Sequence, residues 1–214
     1  MSNQILNLFP MSIMIPDEKY KMTDHEKKFI NDLNKEGNCG GGKNEKSISS
    51  YILENKELKK FKKFLQIKVN DYMHNHMQYS DDVKFYITQS WVNYNIKDTS
   101  HHKHSHPNSI VSGVYYVQGN APIEFHRDNT IFSLEFPCKN FVIENSTSWW
   151  FDVQPQDLIL FPSKLLHSVK SNEKEETRIS IAFNTFVKGK IGNEKDLTEL
   201  DVKDEYKDFD YFHI

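Results

Sequence analysis
A change of period near Val83 constrains this chain more than any other feature. Upstream, Leu58, Phe61, Leu65, Val69 and Tyr72 recur three or four residues apart, which marks the apolar face of a helix. Lys59, Lys60, Lys62, Lys63 and Lys68 lie largely off that face, as a solvated helix surface requires. Before it, Thr23-Asp24-His25-Glu26 has the form of a capping box and predicts a short helix through about Lys35. From Val83 onward the period is two. Phe85, Ile87 and Gln89 alternate with Tyr86, Thr88 and Ser90, then run into Trp91-Val92-Asn93-Tyr94. Further β-rich segments fall near 109–118, 122–127, 130–136, 140–144, 148–153, 157–161 and 177–187, and Gly119-Asn120 reads as a tight hairpin turn. Many short strands with regular turns predict an antiparallel sandwich or a double-stranded β-helix, the jelly roll. Helices first and strands after suit N-terminal α-helices packed on one side of a mainly β body.

The 214 residues suffice for one sizeable core, and a single domain over 1–214 is expected. Its parts are a helical front at about 17–80, a jelly-roll core at about 83–187 and a charged tail at 188–214. Tyr206, Phe209, Tyr211 and Phe212 in that tail suit packing on the body or a subunit contact, so a homo-oligomer stays open. A net charge of -3 implies no nucleic-acid partner. Cys39 and Cys138 fit neither a disulfide framework nor a zinc spacing, which suits an intracellular setting. No signal peptide is expected, and no stretch reaches the roughly 20 apolar residues of a membrane span. Gly37-Asn38-Cys39-Gly40-Gly41-Gly42-Lys43-Asn44 nearly matches a phosphate loop, but Asn stands where Ser or Thr would bind magnesium, and a helix precedes it. A flexible loop is expected there, within a polar loop from Gly37 to Lys46.

Histidines supply the first candidate chemistry. His104-Ser105-His106-Pro107 precedes the apolar run Ser112-Gly113-Val114-Tyr115-Tyr116-Val117, and His167 follows Leu158-Ile159-Leu160-Phe161-Pro162. Alternate residues on a strand share a face, so His104 and His106 could reach one ion together, with His167 arriving from a strand adjacent in space. Imidazole suits Fe, Zn, Cu or Ni. Three protein ligands on an octahedral ion leave two positions for a chelating 2-oxo acid and one for O2. His102 shares the alternation, so spacing alone does not choose 102/104 over 104/106. His101, His102, His104 and His106 could equally form a solvated polar loop. His25, His74, His76, His126 and His213 lack comparable context and are read as non-ligands.

Arg178-Ile179-Ser180 supplies the second half. A 2-oxo diacid needs its distal carboxylate held, and Arg does this bidentately while a hydroxyl two positions on faces the same way. Arg178 follows His167 by eleven positions, enough for a strand, a turn and the head of the next strand. The plain alternative is a surface Arg paired with Glu175 or Glu176. Trp91, Asn93, Tyr116 and Phe161 are candidate pocket walls, with core packing at least as good a role for Trp91 and Phe161. Asn93, Tyr116, Arg178 and Ser180 are the candidate cofactor-binding set.

These residues resemble a known family, the 2-oxoglutarate/Fe(II) oxygenases of bacteria and phages, nearly end to end. The resemblance is carried by Leu8-Phe9-Pro10, Ser90-Trp91-Val92-Asn93, His104-Ser105-His106-Pro107-Asn108-Ser109 with Ser112-Gly113-Val114-Tyr115-Tyr116, and Leu160-Phe161-Pro162-Ser163 with His167. Arg178-Ile179-Ser180-Ile181-Ala182-Phe183-Asn184, then Gly189 and Gly192 before Leu197-Thr198-Glu199-Leu200, complete it. It implies a double-stranded β-helix, Fe(II), and conversion of 2-oxoglutarate and O2 to succinate and CO2 with hydroxylation of an unactivated C–H bond. It favours His104, His106 and His167 as ligands. A cytoplasmic protein is expected, acting in the host cell if phage-encoded, and the sequence leaves the substrate open between a peptidyl side chain, a free amino acid and another metabolite. Three departures stand out. His106 occupies a position where the superfamily usually carries a carboxylate. Gln156-Asp157 replaces a glycine before Leu158, and Asp98 lies near a missing glycine upstream of the His pair. Two other classes compete. One is a cupin-like three-histidine metalloprotein using no 2-oxo acid, although the usual cupin glutamate is missing where Ile110 and Val111 stand. The other is a non-catalytic jelly-roll binding or structural module.

Overall fold
A computed structural model describes residues 4–37, 44–120, 122–128, 133–134 and 136–203. The expected capping box is present. Thr23 Oγ1 accepts from the Glu26 amide at 3.2 Å, while Glu26 Oε2 accepts from the Thr23 amide at 2.8 Å. It opens α1 (Asp24–Asp32), which stops short of Lys35 because Leu33 turns extended. Strands β1 (Lys35–Gly37) and β2 (Glu45–Ser47) follow, where a loop alone was expected. Helix α2 (Lys59–Asn70) buries Phe61, Leu65 and Val69, and continues into a π-helical stretch, Asp71–His76, that buries Tyr72. Among the described residues no helix is long and apolar enough to cross a membrane.

The strands that follow are β3 (Val83–Asn95), β4 (His101–His104), β5 (Val111–Gln118), β6 (Ile123–His126), β7 (Ser148–Phe151), β8 (Leu158–Pro162), β9 (His167–Val169), β10 (Arg178–Ile191) and β11 (Leu200–Val202). They form two antiparallel sheets. The larger runs β1-β2-β3-β10-β5-β8, with β11 beside β10; the smaller runs β4-β9-β6-β7. This is the mainly β, double-stranded β-helix architecture with helices on one side. Period two divides the large sheet. Val92, Tyr94, Ile179, Ile181, Phe183 and Tyr115 join Ile30, Phe61, Leu65 and Val69 of the helices in one core. Val114, Tyr116, Phe161 and Ala182 face the small sheet and pack with Ile123 and Phe125 in a second. Trp91, Asn93, Arg178 and Ser180 lie on this inner face too, where they line a cavity.

Several expectations change. Phe85 and Ile87 lie in the helix-side core, whereas Gln89 lines the inner cavity. The cause is a bulge: Phe183 pairs with Ser90 but Thr185 with Ile87, so β3 carries one extra residue and its faces exchange. Gly119 does take a positive φ of 80°, but β5 and β6 belong to different sheets, so Gly119-Asn120 crosses between sheets and closes no hairpin. Residues 140–144 form no strand; Asn145 Oδ1 accepts from the Val142 amide at 2.9 Å in a turn. Part of the expected strand at 130–136, most of the 37–44 loop with Cys39, and the tail from 204 with His213 lie outside the described residues.

Candidate metal centre and anion pocket
His104 and His167 are directly opposite each other on β4 and β9, and Phe125 of β6 follows in the same row. His101 pairs with Val169 two positions along β9, so three steps on β4 span two on β9. This bulge turns His101 and His104 to the cavity, and simple alternation of 102, 104 and 106 does not hold. His102 is exposed at the rim. His106 lies beyond the end of β4, where its amide donates to the Ser163 carbonyl at 2.9 Å. The three rings nevertheless converge. One ligating nitrogen from each of His104, His106 and His167 lies within 4.8 Å of the others.

The hydrogen bonds decide which nitrogens face inward. His104 Nδ1 lies 2.8 Å from the His102 carbonyl and His167 Nδ1 lies 3.0 Å from the Leu165 carbonyl. A carbonyl only accepts, so both Nδ1 atoms carry protons and both Nε2 lone pairs point away from them. His106 Nδ1 lies 2.7 Å from Ser112 Oγ and 2.8 Å from Asn184 Oδ1, leaving its Nε2 3.2 Å from His104 Nε2. Burial first, and the neighbouring His104 imidazole second, lower the pKa of His106 to about 4. Burial likewise pushes His167 down to about 3, and it lowers His104. Near neutral pH the cluster is therefore uncharged, with lone pairs facing lone pairs. A cation between them would relieve that opposition, so the donor set fits a metal ion. His25 pairs instead with Glu57, His74 with Tyr79 and His126 with Ser168.

Across the cavity the large sheet presents a polar row. Ser180 of β10 is opposite Asn93 of β3 and Tyr116 of β5, and Arg178 is opposite Asn95. All five of these residues are buried. Asn93 Oδ1 accepts from the Trp91 indole at 3.2 Å. Trp91 stands edge-on to His106, with ring centroids 5.9 Å apart. Phe161, expected as a wall, instead packs beneath His167 at 4.8 Å between centroids and does not line the cavity. Arg178 is only 2% exposed. Among the described residues it has no carboxylate partner; its Nη1 reaches Asn95 Oδ1 at a long 3.4 Å, and its guanidinium lies 5.1 Å from the Tyr116 ring centre. Among the described residues, Arg178 Nε and the Tyr116 hydroxyl are both buried without a hydrogen-bond partner. A buried cation with idle donors is costly unless an anion completes it. The residues therefore fit a carboxylate.

His101 is a pocket residue that spacing did not single out. It lies 3.2 Å from Asn95 Oδ1, which Arg178 shares, and burial with the nearby guanidinium lowers its pKa to about 4. Only the bulge on β4 brings it inward, and a bulge leaves no mark in the hydrophobic pattern. Together these groups enclose a cavity of about 290 Å³, close to the roughly 300 Å³ at which small-molecule sites begin.

Residues 89–184 match the family model described as "Putative 2OG-Fe(II) oxygenase". No curated protein matches the sequence. Among solved structures, an oxidoreductase of the 2OG-Fe(II) oxygenase family from Burkholderia pseudomallei is similar at a TM-score of 0.53 and 12% identity, over 74% of this chain and 76% of that one. HygX from Streptomyces hygroscopicus, solved with nickel and 2-oxoglutarate bound, is similar at 0.54 and 11% identity, over 82% of each chain. A Pseudomonas putida prolyl-4-hydroxylase is similar at 0.52 and 10% identity, over 82% of this chain and 92% of that one. At these identities the likeness is one of fold.

Proposed function
We propose, from the match of residues 89–184 to the 2OG-Fe(II) oxygenase family model, that the chain couples decarboxylation of 2-oxoglutarate to hydroxylation of an unactivated C–H bond. One observation supports this over the other classes. Three converging imidazoles and a buried arginine with no carboxylate partner among the described residues open into the same cavity. A metalloprotein that used no 2-oxo acid would have no need of Arg178 and Tyr116 with idle donors. A binding module would have no need of three uncharged imidazoles with opposed lone pairs.

His104, His106 and His167 would hold Fe(II). Arg178 would hold the distal carboxylate of 2-oxoglutarate through its fork, with the Ser180 and Tyr116 hydroxyls as further donors and Asn93 beside them. Bound iron and O2 supply the oxidation, giving succinate, CO2 and an oxygen atom transferred to the substrate. The protein's own part is to orient and to shield. Asn95 holds the guanidinium, Trp91 walls the side next to His106, and Phe125 and Phe161 keep water from beneath His167. Intracellular action suits a cosubstrate drawn from metabolism.

The test is succinate formation by protein reconstituted with Fe(II), with and without 2-oxoglutarate, under air. Cosubstrate-dependent succinate, lost in Arg178→Ala while metal content is kept, is the expected result. Full succinate production in Arg178→Ala would overturn the assignment.

A further inference from the structure
We propose that Asn184 is a positioning residue that decides which nitrogen of His106 faces the centre, and that it does so without adding charge. The inference rests on the metal reading of the histidine cluster. His104 and His167 donate to backbone carbonyls, so their tautomers are set by the main chain. His106 has no such carbonyl. Its Nδ1 faces a hydroxyl, Ser112 Oγ, and a side-chain amide, Asn184 Oδ1. A hydroxyl can donate or accept, and an amide can present its oxygen or its NH2. The orientation of the amide therefore selects the tautomer. With oxygen inward, Nδ1 carries the proton and Nε2 is a free ligand. With NH2 inward, Nε2 would carry the proton and donate to His104 Nε2 at 3.2 Å, which would withdraw both nitrogens from a metal.

The amide oxygen faces inward, beside a run of serine hydroxyls. Ser112 Oγ donates to Asn184 Oδ1 at 2.8 Å and sits 2.8 Å from Ser163 Oγ, which is 2.7 Å from Ser109 Oγ. Ser109 closes the run on the main chain, accepting from the Thr185 amide at 3.2 Å. Ser112 and Ser163 are fully buried, so water does not compete. The placement follows from register, since Asn184 is opposite Ser112 across β10 and β5. An aspartate at 184 would enforce the same tautomer and place a negative charge behind the ligand. Asn184 keeps the support neutral, beside a first sphere in which His106 already replaces a carboxylate.

The experiment compares wild type, Asn184→Asp, Asn184→Leu and Ser112→Ala. ¹H–¹⁵N correlation of the imidazole nitrogens in metal-free protein reads the His106 tautomer, and titration with Co(II) alone reads affinity and the visible absorption bands. Wild type and Asn184→Asp should show the Nδ1–H form, with the bands shifted in Asn184→Asp by the added charge. Asn184→Leu should lose that form and bind Co(II) roughly 10–100-fold more weakly. Ser112→Ala, which leaves the amide in place but unanchored, should show mixed tautomers even if Asn184→Leu folds poorly. An unchanged His106 tautomer in both Asn184→Leu and Ser112→Ala would overturn the role of Asn184, as would equal Co(II) affinity in wild type and Asn184→Leu. Failure of the wild type to bind Co(II) would overturn the metal reading, and this inference with it.

Discussion

At the scale of single residues, two backbone conformations account for departures from the pattern the sequence resembles, read there as missing glycines. Gln156 has φ of 78° and Asp98 has φ of 62°, both in the left-handed region. The folded backbone thus keeps the conformation that glycine would adopt freely. A left-handed residue costs about 1–2 kcal/mol, offset in part by the roughly 0.5–1 kcal/mol that glycine loses in chain entropy. Gln156→Gly is accordingly expected to stabilise by about 0.5–1 kcal/mol, and Asp98→Gly by less, because Asp tolerates this region. Calorimetric melting checks it, and a lower midpoint for Gln156→Gly would contradict the account. Arg178 gives a second prediction at this scale. Arg178→Lys should recover only part of the 2-oxoglutarate affinity lost in Arg178→Ala, since an ammonium cannot present the fork to a carboxylate. Equal affinity of Arg178→Lys and wild type, by isothermal titration, would show that charge alone suffices.

At the scale of elements, side-chain direction is legible along runs whose own alternation no bulge interrupts. Arg178, Ser180 and Ala182 alternate cleanly along β10, so the direction of Arg178 and Ser180 could be read from spacing. The β3 and β4 bulges each insert one residue, which hid the inward turn of Gln89 and His101. His104, His106 and His167 could be found as a set, but the reason they meet is not alternation on one strand. Strand β9 has three residues, too few for any period to register. Gly119 announced a turn, yet a local φ says nothing about which sheet the chain enters next. Gly113 shows what an element can demand of one position. A Cβ there would lie 2.2 Å from the Phe183 ring and 2.8 Å from Leu160. Gly113→Ala should therefore destabilise by about 1–3 kcal/mol through overpacking, read as a lower urea midpoint. Phe183→Leu, which removes the ring, should cost less in the Gly113→Ala background than in wild type. Additive losses would show that the two positions do not share the space.

At the scale of the whole molecule, the buried histidines tie stability to pH and to metal. His101 and His106 titrate near 4 and His167 near 3 when folded, below the ordinary histidine value of 6.5. The unfolded chain binds more protons between those values, so the metal-free protein loses stability as pH falls from about 6.5. Each imidazole contributes up to about 1.4 kcal/mol per pH unit in that window. A metal that binds only the folded state works in the opposite sense. At a hundred times its Kd it should add about 2.7 kcal/mol, or about 5–10 °C at this size. Melting of the metal-free protein from pH 7 to 5, then with Co(II) at pH 7, checks both. A midpoint flat with pH would contradict the burial of neutral imidazoles, and a midpoint flat with Co(II) would contradict the site.

The ladder that sets His104 opposite His167 would also make a metal held there a proofreader of assembly. A slip of β9 by one residue would turn His167 to the outer surface and bring Ser168 inward, because side chains alternate with period two. Such a molecule could be compact and still hold no metal. Only the correctly registered sheet would be captured by an ion, so metal loading would sort finished molecules from near misses before any substrate arrives.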